Sequence, residues 1–349
     1  MNLLYCTDLH ARGDNPKARL DSYQEAMWRK VSEVFDLSRQ HRCKAILFGG
    51  DLTHLPDVSK SVERDLISLL RQSPCPIIGI SGNSHDVWGG NADTLRRTAL
   101  GVVEAAGCIQ LIWPDDPAIV EEDGVTVQVS GQPFHPYLDR RDFRLDYCVL
   151  PANHRNVEGY EEYQHYRDPN VQWCIHMIHG MLRTRPLMNA PITVVQEVLK
   201  HTAADITLSG HDHGGFDPVW HEGRVACNPG ALMRGAADEE HIERTVQALL
   251  LSFTPQTFTL DLIPLQSAAP GAEVLSRAHI EAEKAKIIAR EAFMQGIQAG
   301  GDFKVLDLAG VVDRIATNKG TPDRIRALTM EYLTRAREQM AGGDDEEAA

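Results

Sequence analysis

Residues 3–10, LLYCTDLH, join a short apolar run to an aspartate and a histidine two positions apart. A run of four apolar residues is typical of a buried strand, and Asp8 and His10 follow at its end. Four further polar motifs come directly after apolar runs of the same kind. They are Gly50-Asp51, Gly82-Asn83-Ser84-His85-Asp86, His179-Gly180 and Gly210-His211-Asp212-His213. This repeated order predicts strands whose ends bring metal-binding side chains together.

Apolar residues recur at helical spacing between the first strands, over residues 21–41, 58–70 and 94–106. Alternating strands and helices predict a parallel sheet covered by helices. After Gly107 the pattern changes to hairpins that turn at residues 122–124 and 222–223, and a closing pair spans 246–253 and 258–262. We therefore expect an α/β fold over residues 1–265, with a two-layered sheet core flanked by helices.

The remaining sequence has a different character. Residues 266–273 are rich in Ala and Pro and predict a linker. Helical patterns follow at 274–298, 303–317 and 322–340, separated by glycine-containing breaks. We expect a helical partner-binding region over 274–341 and a disordered acidic tail over 342–349.

The composition limits the class of protein. Of the 349 residues, 43% are apolar, which allows a sizeable core, and the formal charge of −14 argues against an autonomous basic nucleic-acid binder. The seven cysteines are dispersed without a CxxC pair, which is typical of reduced thiols in a cytoplasmic protein. Asp8 and His10 interrupt the first apolar run, so no signal peptide is predicted, and no run approaches the roughly 20 residues of a membrane span.

The motifs offer the ligands of two adjacent divalent ions. Asp8 and His10, spaced i and i+2 at a strand end, are expected to point the same way, and His211 and His213 repeat that spacing. Asp51 follows two glycines that leave room for an ion, and its two oxygens can bridge two metals. Asn83 and His179 add an amide oxygen and an imidazole. Mixed nitrogen and oxygen ligands favour Mn²⁺, with Fe, Zn or Co as alternatives, over Ca²⁺ or Mg²⁺.

Two metals about 3.5–4 Å apart clamp an in-line displacement at phosphorus and activate water. An imidazole near them can protonate the leaving oxygen, and His85 is the candidate for this catalytic role. Asp86 is the candidate for holding the His85 ring in orientation.

The order DxH, GD, GN(S)HD, HG and GHxH resembles the calcineurin-like metallophosphoesterase superfamily over about residues 3–230. The resemblance implies a four-layered α/β/β/α metallophosphoesterase sandwich with a C-terminal helical extension. It also implies two metal sites that share one carboxylate. The first would take Asp8, His10, Asp51 and His213, and the second Asp51, Asn83, His179 and His211.

Within that superfamily the chain is similar to the SbcD-type DNA repair exonucleases of phages and bacteria. The polar loop at 11–16, the segment Asp51-Leu52-Thr53-His54 and the segment Asn228–Arg234 (NPGALMR) carry this similarity. The resemblance implies a catalytic role for His54, DNA as substrate and a homodimer. It also implies that the C-terminal helices dock an SbcC-type coiled-coil ATPase.

One departure from the family pattern is the insertion of Ser84 between Asn83 and His85. Either the loop absorbs the extra residue and His85 still reaches the phosphate, or the acid is misplaced and turnover falls. Metal binding is expected to survive in both cases.

Two alternative functions stay open beside the DNA nuclease. The same two-metal core would serve a small-molecule phosphodiesterase acting on cyclic nucleotides, and the acidic overall charge is compatible with that. A non-catalytic scaffold would explain the Ser84 insertion but would not need so complete a ligand set. Arg183 and Arg185 follow His179 and are candidates for phosphate contact, whereas Arg140, Arg141 and Arg144 are assigned to a solvated face.

Overall fold

The computed structural model describes residues 1–278 except Asn156, Tyr160 and Asn189, and beyond them residues 286, 287, 290, 310, 313, 315–317 and 321–341. Contacts divide the chain into two compact units, Met1–His279 and Ile280–Ala349. None of the helices in the described part of the chain is long and apolar enough to cross a membrane.

The strands of the first unit build two large sheets and one small pair. In chain order they are β1 Asn2–Cys6, β2 Ala45–Phe48, β3 Ile77–Gly79, β4 Gln110–Leu111, β5 Ala118–Glu122, β6 Val125–Gln132, β7 Trp173–Gly180, β8 Leu182–Arg183, β9 Thr193–Val194, β10 Ile206–His211, β11 Phe216–His221, β12 Arg224–Asn228, β13 Gln247–Phe253 and β14 Phe258–Pro264. Within the described residues they form two six-stranded sheets, ordered β14-β13-β1-β2-β3-β4 and β11-β12-β10-β7-β6-β5, and the small pair β8-β9. Strands β1 to β4 are parallel, as are β6, β7, β10 and β12.

Helices of the first unit pack on the outer faces of these sheets. In chain order, the helices are α1 Tyr23–Gln40, α2 Lys60–Leu70, α3 Ala99–Ala105, α4 Arg144–Tyr147, α5 Val195–His201, α6 Glu239–Glu243 and α7 Gly271–Val274, with α8 Asp323–Ala341 in the second unit. Among those on the outer faces are α1, α4 and α5. Ser22 caps α1 by accepting a hydrogen bond from the backbone of Glu25.

Alternation along β1 shows why the sheets stack. Leu4 and Cys6 pack on the side of α1 with Met27, whereas Leu3 and Tyr5 pack against the second sheet. On the outer face of the second sheet, a third apolar cluster joins strand residues to α4 and α5. The layers are therefore α/β/β/α, which confirms the predicted fold class.

The hairpins predicted at 122–124 and 222–223 and the closing pair β13-β14 are present. The helix predicted over 94–106 is divided: a 3₁₀ segment spans Ala92–Arg97, and Thr98 caps the new helix α3 by accepting from Gly101 N. Glycine at position 101 permits the close approach of the two pieces, since a Cβ there would lie 2.1 Å from the Leu95 carbonyl oxygen.

The region after residue 265 also differs in detail from the predicted pattern. Helix α7 ends at Val274, and Leu275 forms an isolated bridge with Arg19, so this segment belongs to the first unit. The helix predicted over 322–340 is confirmed as α8. Most of the helix predicted over 303–317, the later part of that over 274–298, and the tail lie outside the described residues. The assignment of a partner-binding region stays a prediction.

Candidate metal centre

The polar motifs meet where parallel strands of both sheets end. Asp8 and His10 follow β1, Asp51 follows β2 and Asn83 follows β3, while His179 and His211 lie at the ends of β7 and β10. Backbone hydrogen bonds join the first two loops, from Asp8 N to Gly50 O at 3.0 Å and from His10 N to Asp51 O at 2.9 Å. Loops that are distant in sequence therefore form one site.

Four of the candidate ligands have a left-handed backbone. The φ angles are 56° at Asp8, 48° at His10, 54° at Asp51 and 75° at His211. Non-glycine residues adopt this conformation rarely, and such strain concentrates at functional sites. Because β1 ends at Cys6, the left-handed backbone rather than strand alternation aims Asp8 and His10. The two side chains lie together as predicted, but the left-handed backbone and not the i, i+2 spacing along a strand sets their direction.

The first group of ligand atoms comprises Asp8, His10, Asp51 and His213, all within 4.8 Å of one another. The Nε2 atoms of His10 and His213 are 3.0 Å apart, and His213 Nε2 is 3.4 Å from Asp8 Oδ1. Thr7 Oγ1 donates to Asp8 Oδ2 at 2.7 Å and leaves Asp8 Oδ1 facing the histidines. This is the set predicted for one metal.

The second group comprises Asp51, His179 and His211. His179 Nε2 lies 3.3 Å from Asp51 Oδ2, and the Asn83 amide lies 3.1 Å from His211 Nδ1. His179 Nδ1 donates to the Gly49 carbonyl at 2.8 Å, so Nε2 is the nitrogen turned towards Asp51. The structure thus brings together the set predicted for the other metal, with Asp51 in both groups.

Two further observations show that these residues fit divalent ions. Asp51 Oδ2 and His179 Nε2 are buried and have no hydrogen-bond partner among the described residues, which is costly unless another group occupies the space. A Cβ at Gly82 would lie 1.9 Å from Asp51 Oδ1, and one at Gly50 would lie 2.5 Å from His179 Nδ1. The glycines therefore keep the cradle open, as the sequence predicted for Gly50.

The electrostatics give Asp51, His10 and His211 the protonation states that metal ligands need. Burial alone would raise the pKa of Asp51, but the adjacent His179 ring lowers it below its usual value. Burial lowers the pKa of His10 to about 3 and that of His211 to about 4, so both rings are neutral at pH 7. Burial acts against it, but Asp51 and Asp8 raise the pKa of His179 to about 10. This ring would therefore release its proton when it binds a metal ion.

The loop absorbs the inserted Ser84. Asn83 O accepts hydrogen bonds from the backbone N–H groups of Asp86 and Val87, and the Ser84 side chain is exposed. Asn83 therefore still contacts His211, and the His85 ring lies 4.7 Å from the His10 ring. The inserted residue therefore leaves the His85 ring beside the metal-ligand candidate His10.

His54 and His85 form the other side of the centre. Their rings are stacked with centroids 5.0 Å apart, and both belong to a group of ligand atoms that also includes His10. His85 Nδ1 donates to the His54 carbonyl at 2.6 Å. The structure does not place Asp86 against the His85 ring: its carboxylate accepts from the N–H groups of Thr53 and Gly82. Asp86 therefore holds two site loops together, and the His54 carbonyl orients the ring.

Sequence reasoning missed Thr7 and the Gly49 carbonyl, which orient two ligands. The position of Thr7 next to Asp8 is the one feature of the sequence that indicates its role. A backbone carbonyl has no counterpart in the sequence that could indicate one. Arg183 is paired with Asp212 at 2.7 Å and also reaches Glu240 at 3.3 Å, so its charge is engaged within the protein. His176, on the same strand as His179, is hydrogen-bonded to Ser130 Oγ and to the Asp146 carbonyl and to none of the ligand candidates.

Two stacked sheets with these side chains at their strand ends define a metal-dependent phosphoester hydrolase. The model of the calcineurin-like phosphoesterase family matches residues 1–215, more than half of the chain. The chain belongs to that family, whose fold implies bound divalent metal ions.

Several solved structures are similar to this chain at low identity. A protein of Thermus thermophilus, TT1561, is 12% identical, with 75% of this chain and 98% of that chain covered and a TM-score of 0.42. A dimetal phosphatase from Danio rerio is 10% identical, with 76% and 96% covered and a TM-score of 0.45. Vps29 complexed with zinc from Entamoeba histolytica is 10% identical, with 76% and 99% covered and a TM-score of 0.33. No curated protein matches the chain.

Proposed function

We propose that this chain hydrolyses phosphodiester bonds in DNA with two divalent ions, Mn²⁺ being the preferred metal. The observation that carries the proposal is the place of Asp51 in both groups of ligand atoms. Divalent ions held on either side of Asp51 would supply the Lewis acidity and the lowered pKa of water that the reaction needs.

The side chains of the protein would bind the substrate and transfer the proton. The Asn83 amide and the imidazoles hold the phosphate and metals in one place, and the His85 ring protonates the leaving oxygen. The hydrogen bond from His85 Nδ1 to the His54 carbonyl leaves Nε2 free to face the substrate. The ring would act in its imidazolium form, passing the Nε2 proton to the leaving oxygen while Nδ1 keeps its own proton. His54 assists by stacking on the His85 ring.

The clefts beside the centre support a polymeric substrate. One cleft, of about 630 Å³, has Asn83 and His211 in its wall, and another, of about 390 Å³, has His54 and Arg12 in its wall. A nucleic-acid strand can leave the centre in both directions, whereas a mononucleotide would use one cleft. By resemblance, the chain would act as an SbcD-type subunit that forms a homodimer and binds an SbcC-type ATPase through the helical region 274–341.

The experiment compares Asp51→Asn with Asp123→Asn. Both aspartates have positive φ, 54° and 49°, but Asp123 is exposed in a hairpin turn, so the backbone effect is matched. Wild type and Asp123→Asn should cleave linear duplex and single-stranded DNA with Mn²⁺, and Asp51→Asn should not. Absence of cleavage by the wild type, alone and with a cognate ATPase, would refute the nuclease.

A small-molecule phosphodiesterase is the second candidate, because the cleft of about 630 Å³ is large enough for one nucleotide. It predicts turnover of cyclic nucleotides without cleavage of DNA. A folded protein that binds no metal would instead point to a scaffold.

A further inference from the structure

The cleft on the Asn83 side of the centre has a character that metal binding does not explain. Asn83, Ser84 and His211 line the cleft on the side of the metal centre, and apolar side chains form much of its wall. Those apolar residues are Phe134, Pro136, Leu138, Met181, Leu187 and Pro191. Its volume of about 630 Å³ is in the range of pockets that bind small organic groups. A site for phosphate alone would not need an apolar wall.

Phe134 is held at a fixed place in this wall. Its ring centroid is 6.0 Å from that of the metal-ligand candidate His211. Gly90, with φ of 70°, lies directly behind it, and a Cβ there would be 2.6 Å from Phe134 Cε1. The ring is half-buried and therefore keeps one part open to the cleft. An aromatic face next to a phosphate-binding centre is where a nucleobase stacks in proteins that bind single strands.

Arg140 differs from the two other arginines of its cluster. Arg141 pairs with the buried Asp146, and Arg144 pairs with Asp142. Arg140 is exposed in the cleft wall, and its side chain forms no ion pair within the described residues. Its charge is therefore available to a ligand in the cleft.

The carboxylate of the cleft wall is already engaged. Asp139 accepts hydrogen bonds from Tyr147 Oη at 2.6 Å, Thr193 Oγ1 at 2.7 Å and Met181 N at 2.9 Å. Its oxygens are therefore turned into the protein, and Arg140 sets the sign of the charge that a ligand meets. An anion with an apolar ring attached complements this wall.

We propose that this cleft binds the nucleoside next to the phosphate at the metal centre, with the base against Phe134 and the following phosphate on Arg140. The inference rests on the proposed function only in taking that phosphate to belong to a nucleotide chain. It predicts that the strand enters this cleft unpaired, because a base within a duplex is stacked on its neighbours and cannot lie on Phe134.

The test measures binding rather than turnover. A fluorescent thymidine octamer with phosphorothioate linkages and its abasic counterpart with the same linkages are titrated with the full-length, Mn²⁺-loaded protein, and anisotropy is recorded. Base stacking on one aromatic side chain should make the wild type bind the thymidine octamer about tenfold tighter or more. Phe134→Leu keeps the apolar volume and should lose this preference, whereas Phe134→Tyr should keep it.

Arg140 is tested with the same ligands. Arg140→Ala should lower the affinity for both octamers by a similar factor, since it removes a phosphate contact. The matched control Arg144→Ala should leave the affinity for both octamers unchanged, because Arg144 is neutralised by Asp142. Equal wild-type affinity for both octamers, or a preference retained in Phe134→Leu, would overturn the proposal.

The two proposals fail separately. If no phosphodiester is cleaved but the preference for bases depends on Phe134, the hydrolase is wrong and the nucleoside cleft stands. If bis(p-nitrophenyl) phosphate and DNA are cleaved but Phe134→Leu binds both octamers as the wild type does, the cleft proposal is wrong and the hydrolase stands.

Discussion

Substitution of Gly82 by alanine tests the geometry of the shared carboxylate. The added Cβ would lie 1.9 Å from Asp51 Oδ1, 2.4 Å from Asp51 N and 2.7 Å from Asp51 Cγ. Because the backbone nitrogen is also too close, rotation of the carboxylate alone cannot relieve the contact. Ordinary contact begins at 3.4 Å, so the two loops must separate by about 1.5 Å, and a misplacement of about 1 Å in an active site can cost 10²-fold in rate.

We therefore expect Gly82→Ala to lower kcat on bis(p-nitrophenyl) phosphate at least about 100-fold and to weaken Mn²⁺ binding by about 10- to 100-fold. Titration calorimetry and steady-state kinetics with Mn²⁺ measure the two effects. Gly235→Ala is the matched control, since a Cβ there meets no atom within 4 Å. Wild-type metal affinity and turnover in Gly82→Ala would refute the placement of Asp51.

Three other predictions concern the acid, the pH dependence and the second unit. His85→Ala should keep its metal content while kcat falls by about 10²- to 10⁴-fold, and loss of metal measured by elemental analysis would show that the role is misassigned. Burial lowers the pKa of His176 to about 4, so its contribution to stability is complete above the unfolded pKa of about 6.5 and is lost as the pH falls towards 4. Between pH 7 and pH 5, the free energy of unfolding measured by urea denaturation should fall by about 2 kcal/mol less in His176→Gln than in the wild type. An equal fall in both proteins would contradict this. A chain ending at His279 should melt within a few degrees of the full chain by circular dichroism, whereas a large drop would mean that the first unit needs the second.

The strands and the stacking of the layers could be predicted because a strand that is buried on both faces is a continuous run of apolar residues. In β1, Leu3 and Tyr5 face one layer while Leu4 and Cys6 face the other, so the whole segment is apolar. The candidate ligands could be proposed from the sequence because few residue types bind divalent ions, and residues of those types follow these apolar segments. The sequence therefore indicated the site before its geometry was known.

What the sequence could not supply depends on contacts between distant loops. The left-handed backbone at Asp8 and Asp51 is fixed by hydrogen bonds between the first two loops, which no local pattern encodes. No residue near Asp86 in the sequence indicates its hydrogen-bond partner. Its carboxylate accepts a hydrogen bond from the backbone N–H of Thr53, which lies 33 positions earlier in the chain. Arg183 was a candidate phosphate ligand until the structure placed Asp212 beside it.

The central claim is that Asp51 lies between two divalent ions. An anomalous-difference map from a crystal of the protein soaked in Mn²⁺ tests it directly. Two peaks about 3.5–4 Å apart, one among Asp8, His10 and His213 and the other among Asn83, His179 and His211, are the predicted result. A single peak, or peaks that do not contact Asp51, would contradict the account.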